Sequence, residues 1–211
     1  MSGELVARLQ LVASRRESRR PLAEAVRAAI EGGVDLVQLR EKGCSTSERV
    51  AVARGLLDVT AALGVPLLVN DDVEAAVRLG SLVAGVHLGQ QDLPVEEARR
   101  RLGVGAWIGL STHSESELER GERTSATHFG LGACFPTSTK PDHRVLARDE
   151  LRNACLRATR PLFAIGGVTA VNVGSLVELG VRRVAVSRAI LASDDPARAA
   201  AAIRAALDRG A

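Results

Sequence analysis

Apolar residues along the chain cluster in short runs rich in Leu, Val and Ile: residues 8–14, 35–41, 66–71, 85–90, 107–112, 128–135, 161–167 and 183–186. Runs of this length, bounded by Gly, Pro or polar residues, read as buried strands. Between them lie longer segments rich in Ala, Arg, Glu and Leu, such as 21–31, 47–63 and 95–102, with apolar residues at helical spacing. That period predicts amphipathic helices. Eight strand-then-helix units with short connections predict an α/β fold, a (β/α)8 TIM barrel forming a single domain over residues 1–211. An open, doubly wound sheet is the alternative, and the lack of a G-x-G-x-x-G turn after the first run disfavours it.

Composition narrows the function classes. The chain of 211 residues is 46% hydrophobic and 25% charged, enough to bury a core of about two-thirds of its surface without a staple. Cys44, Cys134 and Cys155 are odd in number and lack C-x-x-C spacing, which argues against a zinc site or a disulfide framework and suits a reducing cytoplasm. The Arg-rich segment from Met1 to Arg20 has no apolar stretch of signal-peptide length, and no run elsewhere is long enough to span a bilayer. The net charge of +3 would permit nucleic-acid binding, but no Tyr, one Trp and three Phe leave few platforms for stacking bases. Small anionic ligands fit better, and nothing precludes a homo-oligomer.

The candidate chemistry falls at the C-terminal ends of the predicted strands, the face on which barrels build active sites. In the second strand Gln38, Arg40 and Lys42 alternate with Val37 and Leu39. In a closed barrel the apolar face meets the helices, so the polar three are expected to point inward, where a diphosphate would supply the counter-charge. Of 28 basic residues only Lys42 and Lys140 are lysines, both in polar strand-end motifs where a compact ammonium is not sterically interchangeable with a guanidinium. Asn70-Asp71-Asp72 and Gly89-Gln90-Gln91-Asp92 follow the third and fourth strands. Asp71 and Asp92 are expected to hold Mg²⁺ against a diphosphate, and Asp72 to cap the next helix.

The sixth strand runs into Thr137-Ser138-Thr139-Lys140, three hydroxyls and an ammonium that would cradle an oxyanion. Gly166-Gly167 and Ser187-Arg188 follow strands seven and eight, where barrels commonly hold a phosphate. His87, His113, His128 and His143 show neither triad nor metal-ligand spacing and are read as packed or surface residues with no catalytic role.

Taken in strand order, the motifs Gln-Leu-Arg-Glu-Lys, Asn-Asp, His-Leu-Gly-Gln-x-Asp, Gly-x-Ser, Phe-x-Thr-x-Thr-Lys and Ile-Gly-Gly resemble the thiamine phosphate synthase family over residues 35–190. The resemblance implies a Mg²⁺-dependent transferase that joins 4-amino-2-methyl-5-(diphosphooxymethyl)pyrimidine to 4-methyl-5-(2-phosphooxyethyl)thiazole, 2-carboxylated or not, releasing pyrophosphate. It assigns Gln38, Arg40, Lys42, Asn70, Ser111 and Lys140 to the pyrimidine diphosphate, with Arg40, Lys42 and Lys140 as the catalytic cations. Asp71 and Asp92 would bind Mg²⁺, and Thr137, Ser138, Thr139, Gly167, Ser187 and Arg188 would take the thiazole phosphate. The implied reaction begins with loss of pyrophosphate to leave a pyrimidine-methyl cation, which the thiazole nitrogen captures.

Three positions depart from the family pattern: Ser14-Arg15 replaces Thr-Asp, Gly132-Ala133 replaces Gly-Pro, and Ser187-Arg188 replaces Ile/Val-Ser. Two rival readings are a thiazole tautomerase of the same superfamily, which carries a histidine where Ala133 stands, and a non-catalytic phosphate-binding regulator. Asp71, Asp92 and both lysines oppose the second.

Overall fold

A computed structural model describes residues 5–137 and 144–210. Its first half runs β1 (Leu9–Ala13), α1 (Leu22–Glu31), β2 (Leu36–Leu39), α2 (Thr46–Ala62), β3 (Leu67–Asn70), α3 (Val73–Leu79), β4 (Gly85–Leu88) and α4 (Val95–Leu102). The second half runs β5 (Trp107–Thr112), α5 (Glu115–Glu122), β6 (His128–Leu131), α6 (Arg148–Arg157), β7 (Leu162–Ile165), α7 (Val173–Val177), β8 (Arg183–Val186), α8 (Arg188–Leu191) and α9 (Pro196–Asp208). The strands pair in parallel in chain order, and β8 closes on β1, so the sheet is a closed eight-stranded barrel. Among the described residues, no helix is long and apolar enough to cross a membrane.

Period-two alternation splits the core into two bodies. Outward residues such as Leu11, Val37, Val69, Val86, Ile108 and Phe129 pack with the apolar stripes of the helices. Inward residues Val12, Leu36, Leu68, Phe163 and Ala185 form a separate plug across the barrel axis. Fully burying a Leu or Phe is worth about 1.5–3 kcal/mol, so the plug also makes a rigid floor for whatever lies above it.

Two helix starts shape the site. Asp72 caps α3 as expected, accepting a hydrogen bond from the Ala75 amide at 2.9 Å. Ser45 and Glu48 form a reciprocal capping box at the start of α2. The sixth strand is shorter than its apolar run suggests, ending at Leu131 instead of continuing to residue 135. Pairing lapses at Ala133, then resumes as Cys134 N to Ile165 O and Phe135 N to Gly166 O, each 2.9 Å. The segment therefore follows β7 as an irregular edge.

Candidate active site

Above the plug, a cavity of about 640 Å³ opens at the C-terminal ends of the strands. That size suits a drug-sized ligand. Gln38, Arg40, Asn70, Ser111, Thr137, Gly167, Ser187 and Arg188 all line it, so eight of the residues expected from the sequence share one space. Ser138, Thr139 and Lys140 lie outside the described residues, as does His143.

The cavity floor is a hydrogen-bonded chain across three strands. Gln10 Nε2 donates to Gln38 Oε1, and Gln38 Nε2 donates to Asn70 Oδ1, both at 2.6 Å. All three side chains are buried, so each bond replaces one that water would otherwise supply. Gln10 escaped the sequence reading, although it is the one polar residue of β1 and alternates inward with Val12.

The inward-facing trio of β2 needs correction at one member. Gln38 is buried and Arg40 is half-buried in the cavity lining, but Lys42 is not among the lining residues and its side chain is 62% exposed. The strand ends at Leu39, and the chain turns through Gly43 at φ 75°, so alternation no longer governs residue 42. Lys42 Nζ instead lies 3.1 Å from Asp71 Oδ2. The intervening Glu41 carboxylate is buried and accepts from Arg15 N at 2.6 Å and Arg15 Nε at 3.1 Å, tying the altered end of β1 to β2. Arg49 bridges the next junction: its guanidinium donates to Glu41 O at 2.9 Å and pairs with Asp72. Neither Glu41 nor Arg49 drew attention as a long-range tie, because sequence spacing carries no sign of a contact between elements.

Asp71 and Asp92 do come together. Asp71 has φ 64°, in the left-handed region that Asp and Asn tolerate better than other side chains. Burial lifts the Asp92 carboxyl above its ordinary pKa; the hydrogen bond and negative charge of Asp71 add to the rise, and the Gly89 amide opposes it. Gly89 N donates to Asp92 Oδ2 at 2.6 Å. Two carboxyl groups in mutual repulsion are a hard-oxygen donor pair that a divalent cation would relieve. Among the described residues, no group of three or more His, Cys, Asp or Glu could hold a metal.

Gly166 and Gly167 have φ 99° and 65°. A Cβ on Gly167 would lie 2.6 Å from Pro136 O, and one on Gly166 would lie 2.8 Å from Ala133 Cα. Close approach of the two neighbouring loops thus requires glycine at both positions, whatever binds beside them. Ser14 and Glu17 also line the cavity, so the departed end of β1 still contributes to it.

The histidines are more central than expected. His87 lines the cavity with its Nε2 3.0 Å from Ser111 Oγ, and His128 is fully buried behind it. His113 is half-buried and pairs with Glu117 at 3.0 Å. Burial, followed by the nearness of His87, holds His128 well below the ordinary value of 6.5. The unfolded chain takes up that proton near pH 6.5 while the folded chain does not. The associated stability is complete above this pH and is lost as pH falls below it, at up to about 1.4 kcal/mol per pH unit. In denaturant titrations between pH 5 and pH 8, the wild type is expected to lose stability with acid relative to His128→Phe at this slope. Parallel curves would contradict a neutral His128.

Comparison with known proteins points in one direction. A family model described as thiamine monophosphate synthase matches residues 9–190. A thiamine-phosphate synthase of Streptomyces avermitilis is 42% identical over 196 residues, covering 92% of this chain and 90% of that one. A probable thiamine biosynthetic bifunctional enzyme, chloroplastic, from Oryza sativa subsp. japonica is 42% identical over 162 residues. The match covers 77% of this chain and 29% of the rice protein. The solved thiamine phosphate pyrophosphorylase of Pyrococcus furiosus superposes with a TM-score of 0.87 at 30% identity, covering 97% of this chain and 96% of that one.

Proposed function

This chain belongs to the thiamine monophosphate synthase family, and from that premise we propose that it condenses the aminopyrimidine diphosphate with the thiazole phosphate in the cavity above the plug, with Mg²⁺ as cofactor. The observation that carries this reading is a single cavity with two cationic ends. Arg40 and the Gln38–Asn70 chain stand on the β2–β3 side, and Gly167, Ser187 and Arg188 on the β7–β8 side. Two anionic substrates can therefore meet head to head.

In the first step the methylene carbon–oxygen bond breaks, and its electron pair leaves on the diphosphate. The thiazole nitrogen then closes the new carbon–nitrogen bond with its lone pair. Neither step needs a general base, but both need a stabilised leaving anion and a fixed acceptor. Arg40, Lys42 and Lys140 neutralise the diphosphate in this reading, while Gln38, Asn70 and Ser111 orient the ring. Thr137, Ser138, Thr139, Gly167, Ser187 and Arg188 hold the thiazole phosphate. Asp71 and Asp92 would hold Mg²⁺, which supplies positive charge to the diphosphate oxygens when bound. The raised Asp92 carboxyl and its negative neighbour support that assignment.

The tautomerase reading needs a proton-transferring group at position 133, and Ala133 offers none. Purified protein given both substrates and Mg²⁺ is expected to yield thiamine phosphate and equimolar pyrophosphate, and to yield neither in excess chelator. No product from the complete mixture would overturn the assignment.

A further inference from the structure

The amide chain in the cavity floor has a direction, and Gln10 at its head has no part in the coupling chemistry. Gln10 Nε2 donates to Gln38 Oε1, and Gln38 Nε2 donates to Asn70 Oδ1, both at 2.6 Å. The two bonds cross from β1 through β2 to β3, two strand spacings or roughly 10 Å. Each amide carries one carbonyl oxygen and one NH2, so each bond decides which end the next amide turns forward. Gln10 takes the Gln38 carbonyl, Gln38 offers its NH2 to Asn70, and Asn70 keeps its own NH2 for the cavity it lines.

The two ends of the chain favour this sense over its reverse. Gln10 is 1% exposed and Asn70 8%. Register sets Gln10 beside Leu36 and Ala185, two inward residues of the apolar plug, and among the described residues its side chain bonds only to Gln38. In the reverse sense Gln10 would accept, leaving both of its N–H groups buried with no partner in the chain, whereas donating commits one of them. Buried N–H groups are orphaned less often than carbonyls. The N–H groups left over at Asn70 face a cavity that can pair them.

We propose that Gln10 is a positioning residue that holds the Gln38 carbonyl and thereby turns the Asn70 NH2 into the cavity, where it meets a hydrogen-bond acceptor on the pyrimidine. Without a donor at position 10, the Gln38 carbonyl is left unpaired in the floor and nothing opposes a half-turn of the Gln38 amide. That turn would bring its oxygen against Asn70 Oδ1, acceptor against acceptor, and Asn70 would have to turn in its place. The cavity would then meet a carbonyl where it had met N–H groups. The inference rests on Gln38 and Asn70 facing the pyrimidine, as the coupling reading has it.

Two measurements separate the inference from that reading. Neutron diffraction from substrate-free perdeuterated crystals is expected to place deuterium between Gln10 Nε2 and Gln38 Oε1, and between Gln38 Nε2 and Asn70 Oδ1. The opposite sense would overturn the arrangement whatever the chain catalyses, whereas failure of the wild type to couple its substrates would count against the function. Steady-state coupling then tests the consequence. Gln10→Met matches the amide in length but cannot donate, and is expected to raise KM for the pyrimidine diphosphate about tenfold or more while KM for the thiazole phosphate stays within about twofold. Gln10→Glu supplies a second readout, since a neutral acid donates as the amide does but a carboxylate can only accept. Its KM for the pyrimidine diphosphate is expected to match wild type at acid pH and to rise above it as the carboxyl ionises. An equal change in both KM values with Gln10→Met, no change included, or a ratio to wild type that stays flat with pH in Gln10→Glu, would reduce Gln10 to a packing residue.

Discussion

Asp71→Asn is expected to lower coupling turnover by roughly a hundred- to a thousand-fold while leaving the thermal transition nearly where it was. The magnitude is that of losing one preorganised charge at a developing anion, about 2.7–4 kcal/mol. Asn is a better probe than Ala here, because Asp71 sits at φ 64° and Asn also tolerates this conformation. Ala would add backbone strain, and a loss of activity could then reflect a displaced loop. The substitution also breaks the Lys42 pair, but that lysine is largely exposed and such a pair is worth about 0–1 kcal/mol. Activity should fall at saturating substrate and recover partly at high Mg²⁺, if the defect is weakened metal binding. Wild-type turnover by Asp71→Asn, or by wild type in excess chelator, would remove the carboxylate pair from the mechanism.

Much of the barrel was legible because its signal is local. Strands β5 and β8 occupy the residues their apolar runs predict, and α4 spans residues 95–102 as its pattern does. Where reading and structure differ, non-local pairing decides. The apolar run continues past Leu131 through residue 135, yet the strand stops, because the two glycines after β7 draw the segment into an irregular edge. Lys42 is a subtler case. Alternation is a property of a strand and expires with it, so a residue three positions beyond Leu39 inherits no face.

The site was half legible for a related reason. Motifs declare residues that line the cavity, such as Arg40 and Ser187, because few other roles place a charge or hydroxyl at a strand end. The ties beneath them leave no such mark. Gln10, Glu41 and Arg49 act across 28, 26 and 23 residues of chain through their bonds to Gln38, Arg15 and Asp72. Each is an ordinary polar residue until the barrel closes. Gly109 is the most instructive case: the sequence shows a glycine inside a strand, a warning of close approach. Only the fold reveals that two imidazole nitrogens make the approach.

Lysine usage motivates the second large effect. Only two of the 28 basic residues are lysines, and both belong to strand-end motifs in a chain that otherwise uses arginine. If Lys140 neutralises the departing diphosphate, Lys140→Arg keeps the charge but replaces a compact ammonium with a larger planar head. The displaced charge is expected to reduce turnover by roughly a hundred-fold or more, the scale of one well-placed group at a developing anion. Lys42 provides the internal contrast. Its ammonium is open to solvent and pairs with Asp71 at 3.1 Å, a partner that a guanidinium can also reach. Lys42→Arg is therefore expected to cost about tenfold or less, near 1.4 kcal/mol. Arg100→Lys on the exposed face of α4, where Arg100 pairs with Glu97, sets the baseline and should change stability by less than about 0.5 kcal/mol. Steady-state coupling of the three variants beside wild type orders them. Near wild-type turnover in Lys140→Arg would make the two lysines accidents of composition, and would take Lys140 out of the proposed stabilisation of the leaving group.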